Sequence, residues 1–480
     1  IGIACLSQVL PGVIISAYGS IYTIPNGGAP YSIQLDSALL SGLSGIGITL
    51  LSTMAAVLSS LKEEPSSLML PKAPKAGSKI LLERVEPLWS RLSFSWKVTI
   101  RNLVRYKRRL IMTLVGIAGC TALLLVAFGL RDSISDIIDN QWPAISHYDY
   151  IVGMTSDVSS EEADQINAEL NQVGATNIHR ITRENVLLES PTQKAGSLTR
   201  TTIMTSDSLQ DLTGLATLRN RLSGQAIELG EDSVVITEKL AKRLGVGVGD
   251  TIQVYAQDRI GNASGEPSTL TITGVAENYV GSYLYVGPSA WRSLGIQDDA
   301  TDGWYATLPE EQTTRDTFGE KLINQAGVAT VDDVNEAIHT YKESLAVVNR
   351  VVAILIVAAA LLAFIVLYNL TNINIEERIR EIASLKVLGF TRHEVDAYVF
   401  REIALLAVFG ALFGLVLGTY LEGFVVQTAE IDLVMFGRAI HAPSYWFAFG
   451  LTLVFSLLVY VAMRPKLKNI DMVESLKSVE

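Results

Sequence analysis

Long uncharged apolar stretches recur along the chain, and six of them are close to the length of a membrane-spanning helix. Such a helix needs about 20 mostly apolar residues to cross roughly 30 Å of hydrocarbon. The stretches run approximately from Ile1 to Tyr22, Ser37 to Leu61, Leu110 to Leu130, Val351 to Leu370, Ile403 to Leu421 and Trp446 to Met463. The second is rich in Gly and Ser but carries no charge. The pattern predicts an α-helical membrane protein with six transmembrane helices.

The long segment between the third and fourth stretches alternates between strand and helix patterns. Tyr150 to Met154 and Ser233 to Ile236 have strand patterns, and Ser159 to Val173 has a helix pattern with a serine cap. Thr237 is expected to cap a short helix, which two further strands, TIQVYA and STLTITGV, follow. These elements predict an α+β domain inserted between two transmembrane helices.

Composition supports the membrane interpretation. Hydrophobic residues make up 49% of the 480 residues and charged residues only 18%, below the roughly 25% of a typical soluble domain. The net charge of −11 excludes a mainly basic nucleic-acid binder. Cys5 and Cys120 both lie in apolar runs, so we interpret them as small hydrophobic residues.

Lysine and arginine cluster beside the membrane ends. Residues 62–109 hold twelve basic residues against four acids, and 371–400 and 464–480 also carry several basic residues. Because such clusters mark the cytoplasmic side, we expect these three segments to be cytoplasmic. Residues 131–346 contain 15 basic and 32 acidic residues. The topology places this acidic domain outside the cytoplasm.

Motifs for catalysis and metal binding are absent from the sequence. The five histidines are scattered, and there is no HExxH, CxxC or GxSxG motif. Gly245, Gly247 and Gly249 suggest a phosphate loop, but no GxxxxGK[ST] occurs, so we assign them to positive φ in a helix-to-strand turn. The spans carry no charge near their centres, which argues against an ion-coupled transporter.

The loop between the fourth and fifth spans combines a helix, a break and a second helix. An apolar stripe recurs at spacings of 4, 3, 3 and 3 in Ile375, Ile379, Ile382, Leu385 and Leu388. Gly389 is placed to end this helix in a left-handed conformation, and Thr391 with Glu394 forms a capping box for the next one. The pattern predicts a rigid elbow inside the membrane surface, or equally an interfacial helix lying on lipid.

Small residues also follow a regular spacing in the fifth span. Gly410, Gly414 and Gly418 lie four residues apart and form a smooth stripe. Such a stripe allows another helix to approach closely, so we assign these glycines to helix packing. Tyr445 and Trp446 are expected to anchor the sixth span at the outer interface.

At the elbow the chain resembles the FtsX-like permease family, the membrane subunits of MacB-type (type VII) ABC systems. The segment REIASLKVLGF, Arg380 to Phe390, carries the resemblance. RNLVRYKRRLIMTLVGIAGC, SVVITEKLAKRLGVGVGDTIQV and the tail VESLKSVE support it, and it covers the chain from about Leu81 to Glu480. The front of the chain looks like the end of an earlier copy and starts at Ile1 without Met, so the resemblance implies the C-terminal part of a two-copy, ten-span member.

The resemblance implies a division of labour with a separate ABC ATPase, which binds the ATP, while this chain holds no cofactor and is not an enzyme. The implied coupling residues are Arg380, Glu381, Ile382, Leu385, Lys386, Leu388, Gly389 and Phe390. The ATPase would contact the face around Arg380, Glu381 and Lys386, while Ile382, Leu385 and Leu388 would pack toward the membrane helices. The implied partners are that ATPase, the lipid bilayer and, as an option, a second permease copy or subunit, but no nucleic acid.

The expected protein is a multi-pass protein of a bacterial cell membrane that moves its acidic domain to export or extract an amphipathic substrate or to control an envelope factor. Its expected segments are 1–61 (two spans ending a first copy), 62–109 (basic linker), 110–130 (span), 131–346 (α+β domain), 347–370 (span), 371–400 (coupling helix and elbow), 401–427 (span), 428–444 (outer loop), 445–463 (span) and 464–480 (tail). The alternatives are an ion-coupled secondary transporter and a membrane-anchored adhesion or signalling ectodomain.

Overall fold

The computed structural model describes residues 35–61, 89–90, 93–105, 107–142, 144–155, 158–192, 196–258, 260–295, 301–377, 379–430 and 434–468. The chain forms two compact units. The helical unit comprises Ile1–Phe128, Val347–Glu422 and His441–Glu480, and the α+β unit comprises Gly129–Ala346 and Gly423–Ile440. The α+β unit thus combines the long insertion after the span that starts at Leu110 with the segment between the last two spans.

The helices, in chain order, are α1 (Leu35–Leu61), α2 (Phe94–Arg105), α3 (Lys107–Gln141), α4 (Ser160–Gln172), α5 (Leu209–Leu215), α6 (Glu238–Leu244), α7 (Pro288–Leu294), α8 (Gln312–Ile323), α9 (Val334–Glu377), α10 (Ile379–Val387), α11 (Arg392–Ala429) and α12 (Ala442–Lys468). The strands are β1 (Tyr150–Met154), β2 (Thr176–Glu189), β3 (Thr199–Thr205), β4 (Val234–Thr237), β5 (Thr251–Gln257), β6 (Ala263–Thr271), β7 (Gly274–Ala276), β8 (Tyr283–Val286), β9 (Thr301–Thr307) and β10 (Val328–Asp333).

Four helices in the described part of the chain, rather than the six expected, are long and apolar enough to cross a membrane. They cover Leu110–Gln141, Val352–Ile373, His393–Thr428 and Ala442–Pro465. The first expected span, 1–22, lies outside the described residues. The second forms α1, but its apolar part is the shorter Gly42–Met54. A helix of that length rises about 20 Å, less than the roughly 30 Å of hydrocarbon.

One ten-stranded sheet organises the α+β unit. Its strand order is β10-β1-β9-β2-β3-β8-β4-β7, and the hairpin of β5 and β6 joins it through β2. The pairs β3·β8 and β4·β7 are parallel, and the other pairs are antiparallel. A mixed sheet with short helices is the α+β class predicted from the sequence.

Local sequence signals in this unit correspond to real elements. Tyr150–Met154 is β1, and Ser159 caps α4 in a capping box with Glu162. Thr237 occupies the N-cap position of α6 without a side-chain cap bond, because its hydroxyl accepts a bond from the Tyr283 N–H at 3.2 Å. In the following turn, Gly245 and Gly249 adopt φ of 67° and 93°, as expected, but the expectation of positive φ at Gly247 was wrong.

Arg315 of α8 is the largest fully buried side chain, with 1% of its surface exposed. Its Nε and Nη2 donate to the Asp333 carboxylate at 2.7 and 2.9 Å, and its Nη1 donates to Asp149 at 3.3 Å. Its guanidinium also lies 5.6 Å from the centre of the Tyr150 ring. Buried charges require such complete pairing, so Arg315 ties α8 to one end of the pair β1 and β10, where the start of β1 meets the end of β10.

Replacing Arg315 should therefore destabilise the α+β unit. Arg315→Met leaves two carboxylates without their buried cation, and removing one partner of a buried ion pair costs about 3–5 kcal/mol. We expect faster amide hydrogen exchange in β1 and β10 of the full-length protein, measured by mass spectrometry. Arg292→Met, at an exposed position of α7, is the control and should leave exchange unchanged. Equal exchange in both variants would show that the pairing is dispensable.

Candidate functional site

The predicted elbow is formed by α10, a glycine turn and the start of α11. Gly389 follows α10 with φ of 91°, the left-handed conformation expected of it. The Thr391 N–H donates to Glu394 Oε2 at 2.8 Å, and the Glu394 N–H donates to Thr391 Oγ1 at 3.4 Å. This is the predicted capping box. The chain therefore turns sharply at Gly389 and restarts as a firmly capped helix.

An apolar cluster within the helical unit holds the elbow. Ile382 and Ala383 of α10 are 1% and 0% exposed. They share this cluster with residues of α2, α11 and α12, including Leu103, Val399 and Met463. A segment whose inward face is this well packed is not a loosely lying interfacial helix. Arg380, Glu381, Leu385 and Lys386 lie within α10, and their side chains are outside the described part of the structure.

Leu388 lies on the exposed side of the elbow, contrary to the expectation that it packs toward the membrane helices. Leu388 is 75% exposed, Val387 61% and Phe390 49%. At 3.6 residues per turn, three-residue steps drift around the helix, so six residues after Ile382 a side chain points about 120° away from it. Leu388 therefore does not pack toward the membrane helices. It forms, with Val387 and Phe390, an exposed apolar patch on the elbow.

An ion pair that the sequence analysis missed joins the elbow end of α11 to the last span. Asp396, 7% exposed, accepts a hydrogen bond from Arg464 Nε at 3.2 Å. In sequence the two residues are 68 positions apart and each resembles an ordinary end-of-helix charge. Only the packing of α11 against α12 reveals the pair, which fixes these two helix ends to each other.

The glycine stripe of α11 lies directly against α3. A Cβ added at Gly410 would lie 2.7 Å from Ile117 Cβ, and one at Gly418 would lie 3.0 Å from the Ala122 Cα. At Gly414 it would lie 2.5 Å from Thr121 Cβ and 2.6 Å from the Ala118 carbonyl oxygen. The backbones of α3 and α11 are thus in contact along two turns. Thr121 of α3 also shares a 3.0 Å hydroxyl contact with Thr452 of α12.

A buried polar junction lies at the other end of α3, inside the α+β unit. Gln141, 3% exposed, accepts hydrogen bonds from the N–H groups of Tyr279 and Val280 at 2.8 and 3.2 Å. Its Nε2 donates to Asn278 Oδ1 at 3.0 Å. Its Nε2 also donates to Ser146 Oγ at 2.9 Å, so this buried side chain binds the end of α3 both to the loop before β8 and to Ser146.

The segment after α11 joins the same junction. The Met435 N–H donates to the Tyr279 carbonyl at 2.8 Å, and the Gly437 N–H donates to the Ser133 carbonyl of α3 at 2.8 Å. Val434 and Met435 are buried in the apolar cluster that also contains Ile137. Residues expected to form only an outer loop are therefore part of the core of the α+β unit.

Charged groups reinforce this attachment. Glu430, directly after α11, accepts from Lys239 Nζ of α6 at 2.9 Å and from the Phe436 N–H at 3.1 Å, and it pairs with Arg438. Nearby, burial and a 2.6 Å bond to Glu277 raise the pKa of Tyr279 well above its ordinary value, so its hydroxyl remains a donor. We call Gln141, Tyr279, Glu430, Lys239 and Met435 the head junction.

Sequence reasoning missed every residue of the head junction. A buried glutamine or glutamate has no local sequence pattern, and Lys239 was noted only as part of a family-like run. Among the residues that the structure describes, no group of three or more His, Cys, Asp or Glu could hold a metal ion. The contacts of the head junction hold the end of α3 and the segment after α11 against the loop before β8.

Two family models match the chain. Residues 110–339 match the MacB-like periplasmic core domain and residues 353–472 the FtsX-like permease C-terminal model. A search of curated proteins finds no match.

Two solved structures are also similar. The periplasmic region of MacB from Actinobacillus actinomycetemcomitans is 11% identical, over 43% of this chain and 98% of that one, with a TM-score of 0.24. A domain of a putative permease protein from Porphyromonas gingivalis is 16% identical, over 37% and 82%, with a TM-score of 0.22.

A methyl group at Gly414 should disrupt the contact between α3 and α11. Gly414→Ala places its Cβ against the backbone of Ala118, and overpacking of this kind costs about 1–3 kcal/mol. Thermal unfolding of the detergent-purified protein should occur at a lower temperature.

Gly450→Ala is the matched control for this substitution. Gly450 lies in α12 with nothing within 4 Å of an added Cβ, so the variant should be neutral or gain up to about 1 kcal/mol from helix propensity. If Gly414→Ala unfolds at the same temperature as Gly450→Ala, the close contact does not contribute to stability.

Proposed function

Because this chain is a permease of the FtsX and MacB type, the membrane-subunit class of ABC systems, we propose that it converts ATP hydrolysis by a separate ATPase subunit into movement of its α+β unit. A multi-pass membrane protein whose described residues include four helices long enough to span a membrane, and which matches a periplasmic core domain, is suited to this role. The observation that carries the proposal is α11, one helix that starts at the capped elbow and ends directly before Glu430.

The elbow is the proposed docking site for the ATPase. Its exposed apolar patch, Val387, Leu388 and Phe390, faces away from the bundle and would be covered by a partner. Its opposite side, Ile382, is locked into the bundle. A force applied to the patch would therefore act on α11 and α12 together rather than bend a free segment. Arg380, Glu381 and Lys386 remain proposed polar contacts to the ATPase.

The glycine stripe and the head junction would carry this displacement onward. At the stripe, backbone contact leaves no space in which α11 could move while α3 stays in place. At the head junction, the end of α3 and the segment after α11 bind the same loop through Gln141 and Met435. Tightly packed interfaces move as rigid bodies between discrete arrangements and do not deform continuously. We propose that α3 and α11 move as a pair and take the loop before β8 with them.

For the transported or regulated molecule, we propose only a chemical class. The movement would serve to export or extract an amphipathic molecule or to control an envelope factor. In each case the cytoplasmic side would carry the elbow, residues 62–109 and the tail, and the acidic α+β unit would be extracytoplasmic. The net charge of residues 131–346 and the basic clusters on the other segments support this orientation.

Capture of an ABC ATPase by the full-length protein tests the docking site. Leu388→Glu should lower the captured amount about tenfold or more, since burying a leucine contributes about 1.5–3 kcal/mol. Charge reversal at Arg380 or Glu381 should weaken it further. The measurement is co-purification from membranes followed by identification of the bound subunit.

Leu222→Glu is the matched control, because Leu222 is an equally exposed leucine, 83%, on a loop of the α+β unit. It should leave capture intact. Capture that survives all of the elbow substitutions would remove the elbow from the mechanism. Substrate flux driven by an ion gradient in the absence of any ATPase would instead favour a secondary transporter.

Sidedness is tested with a membrane-impermeant thiol reagent in a variant lacking Cys5 and Cys120. A cysteine at Ser223, which is exposed on the α+β unit, should react in intact cells. A cysteine at Ser78, in the basic linker, should react only after lysis. The reverse pattern of labelling would overturn the orientation.

A further inference from the structure

The segment formed by α2 and the start of α3 carries an unusual density of positive charge. Between Pro87 and Leu130 the chain contains no Asp or Glu. Within that interval six cations lie close together, at Lys97, Arg101, Arg105, Lys107, Arg108 and Arg109. The interval therefore carries a high net positive charge along the sequence.

α2 divides this segment into an inner and an outer face. Thr99 and Leu103 are 0% and 7% exposed, and Leu103 belongs to the apolar cluster that holds Ile382 of the elbow. Arg101 and Arg105 are exposed, and they share the outer face with Val98, 36% exposed. The helix is therefore fixed to the bundle on one side and cationic on the other.

Trp89 lies beside the same cations. Lys97 Nζ and the Arg101 guanidinium lie 5.9 and 5.4 Å from the centre of its ring. Both distances allow cation–π attraction, and tryptophan is enriched at the level of the lipid headgroups. This grouping of an aromatic ring, two cations and an exposed valine has the character of a membrane interface.

The position of the span sets the depth of these cations. The apolar part of α3 begins at Leu110, directly after Lys107, Arg108 and Arg109. At a rise of 1.5 Å per residue, Lys107 lies about 5 Å outside the hydrocarbon. This is the depth of phospholipid phosphates, so the exposed cations at this level would face anionic groups of the bilayer.

We propose that α2 and the start of α3 bind the phosphate groups of acidic phospholipids, through Lys97, Arg101, Arg105 and Lys107. Each basic residue close to an anionic membrane surface contributes about fivefold in affinity at physiological salt. Since Leu103 packs in the cluster of the elbow, the bound lipids would also hold α2 at the headgroups beside the moving part.

The test uses the full-length protein in nanodiscs of equimolar phosphatidylglycerol and phosphatidylcholine. Native mass spectrometry counts the lipids that stay bound to the protein after it is released from the nanodisc. The natural protein should retain phosphatidylglycerol preferentially, and higher salt should weaken that preference because exposed charges are screened. Arg101→Gln, Arg105→Gln and Lys107→Gln combined should lower the preference at least tenfold.

The control combines Arg243→Gln, Arg292→Gln and Lys321→Gln, three exposed cations of the α+β unit, and should retain the preference. Equal retention of both lipids by the natural protein, or the same loss in both triple variants, would overturn the proposal. Lost ATPase capture with unchanged lipid retention in the α2 variant would assign the surface to the ATPase instead. If that variant fails to fold, the salt dependence of the natural protein decides.

Discussion

Contact between the backbones of α3 and α11 at Gly410, Gly414 and Gly418 constrains everything else in the helical unit. In a bilayer no hydrophobic force draws two apolar helices together, so packing contacts must do so. Side chains of any size at these positions would separate the helices, as the 2.5–3.0 Å approach distances show. The proposed mechanism needs this contact, because only touching helices pass on a displacement without loss.

In the α+β unit, the head junction also fixes α3 in place, but through hydrogen bonds rather than through close packing. There the contacts are hydrogen bonds from buried groups, among them Gln141 and the backbone of Met435. An unpaired buried amide costs about 1–3 kcal/mol, so these bonds break together only at considerable cost. Apolar packing thus holds α3 to α11 within the helical unit. In the α+β unit, buried hydrogen bonds hold the end of α3 and the segment after α11 to one loop.

Local signals in the sequence predicted local structure well. The serine cap of α4, the capping box at Thr391 and the left-handed Gly389 were predicted because each depends on residues a few positions apart. Leu388 was assigned to the wrong side because a stripe with three-residue steps drifts around the helix. Gln141, Glu430 and the pair of Asp396 with Arg464 were not predicted, because Tyr279, Lys239 and Arg464 lie 138, 191 and 68 positions from their partners and only the tertiary fold brings them together.

The same uneven distribution of charge underlies both the proposed lipid-binding segment and the proposed orientation of the chain in the membrane. Residues 131–346 carry a net negative charge, whereas the segment from Pro87 to Leu130 has no acids at all. An acidic leaflet attracts the second segment and repels the first, over a Debye length of about 8 Å. In the proposed orientation this asymmetry continues to act in the folded protein, because it favours keeping the cationic α2 at the headgroups of an acidic leaflet.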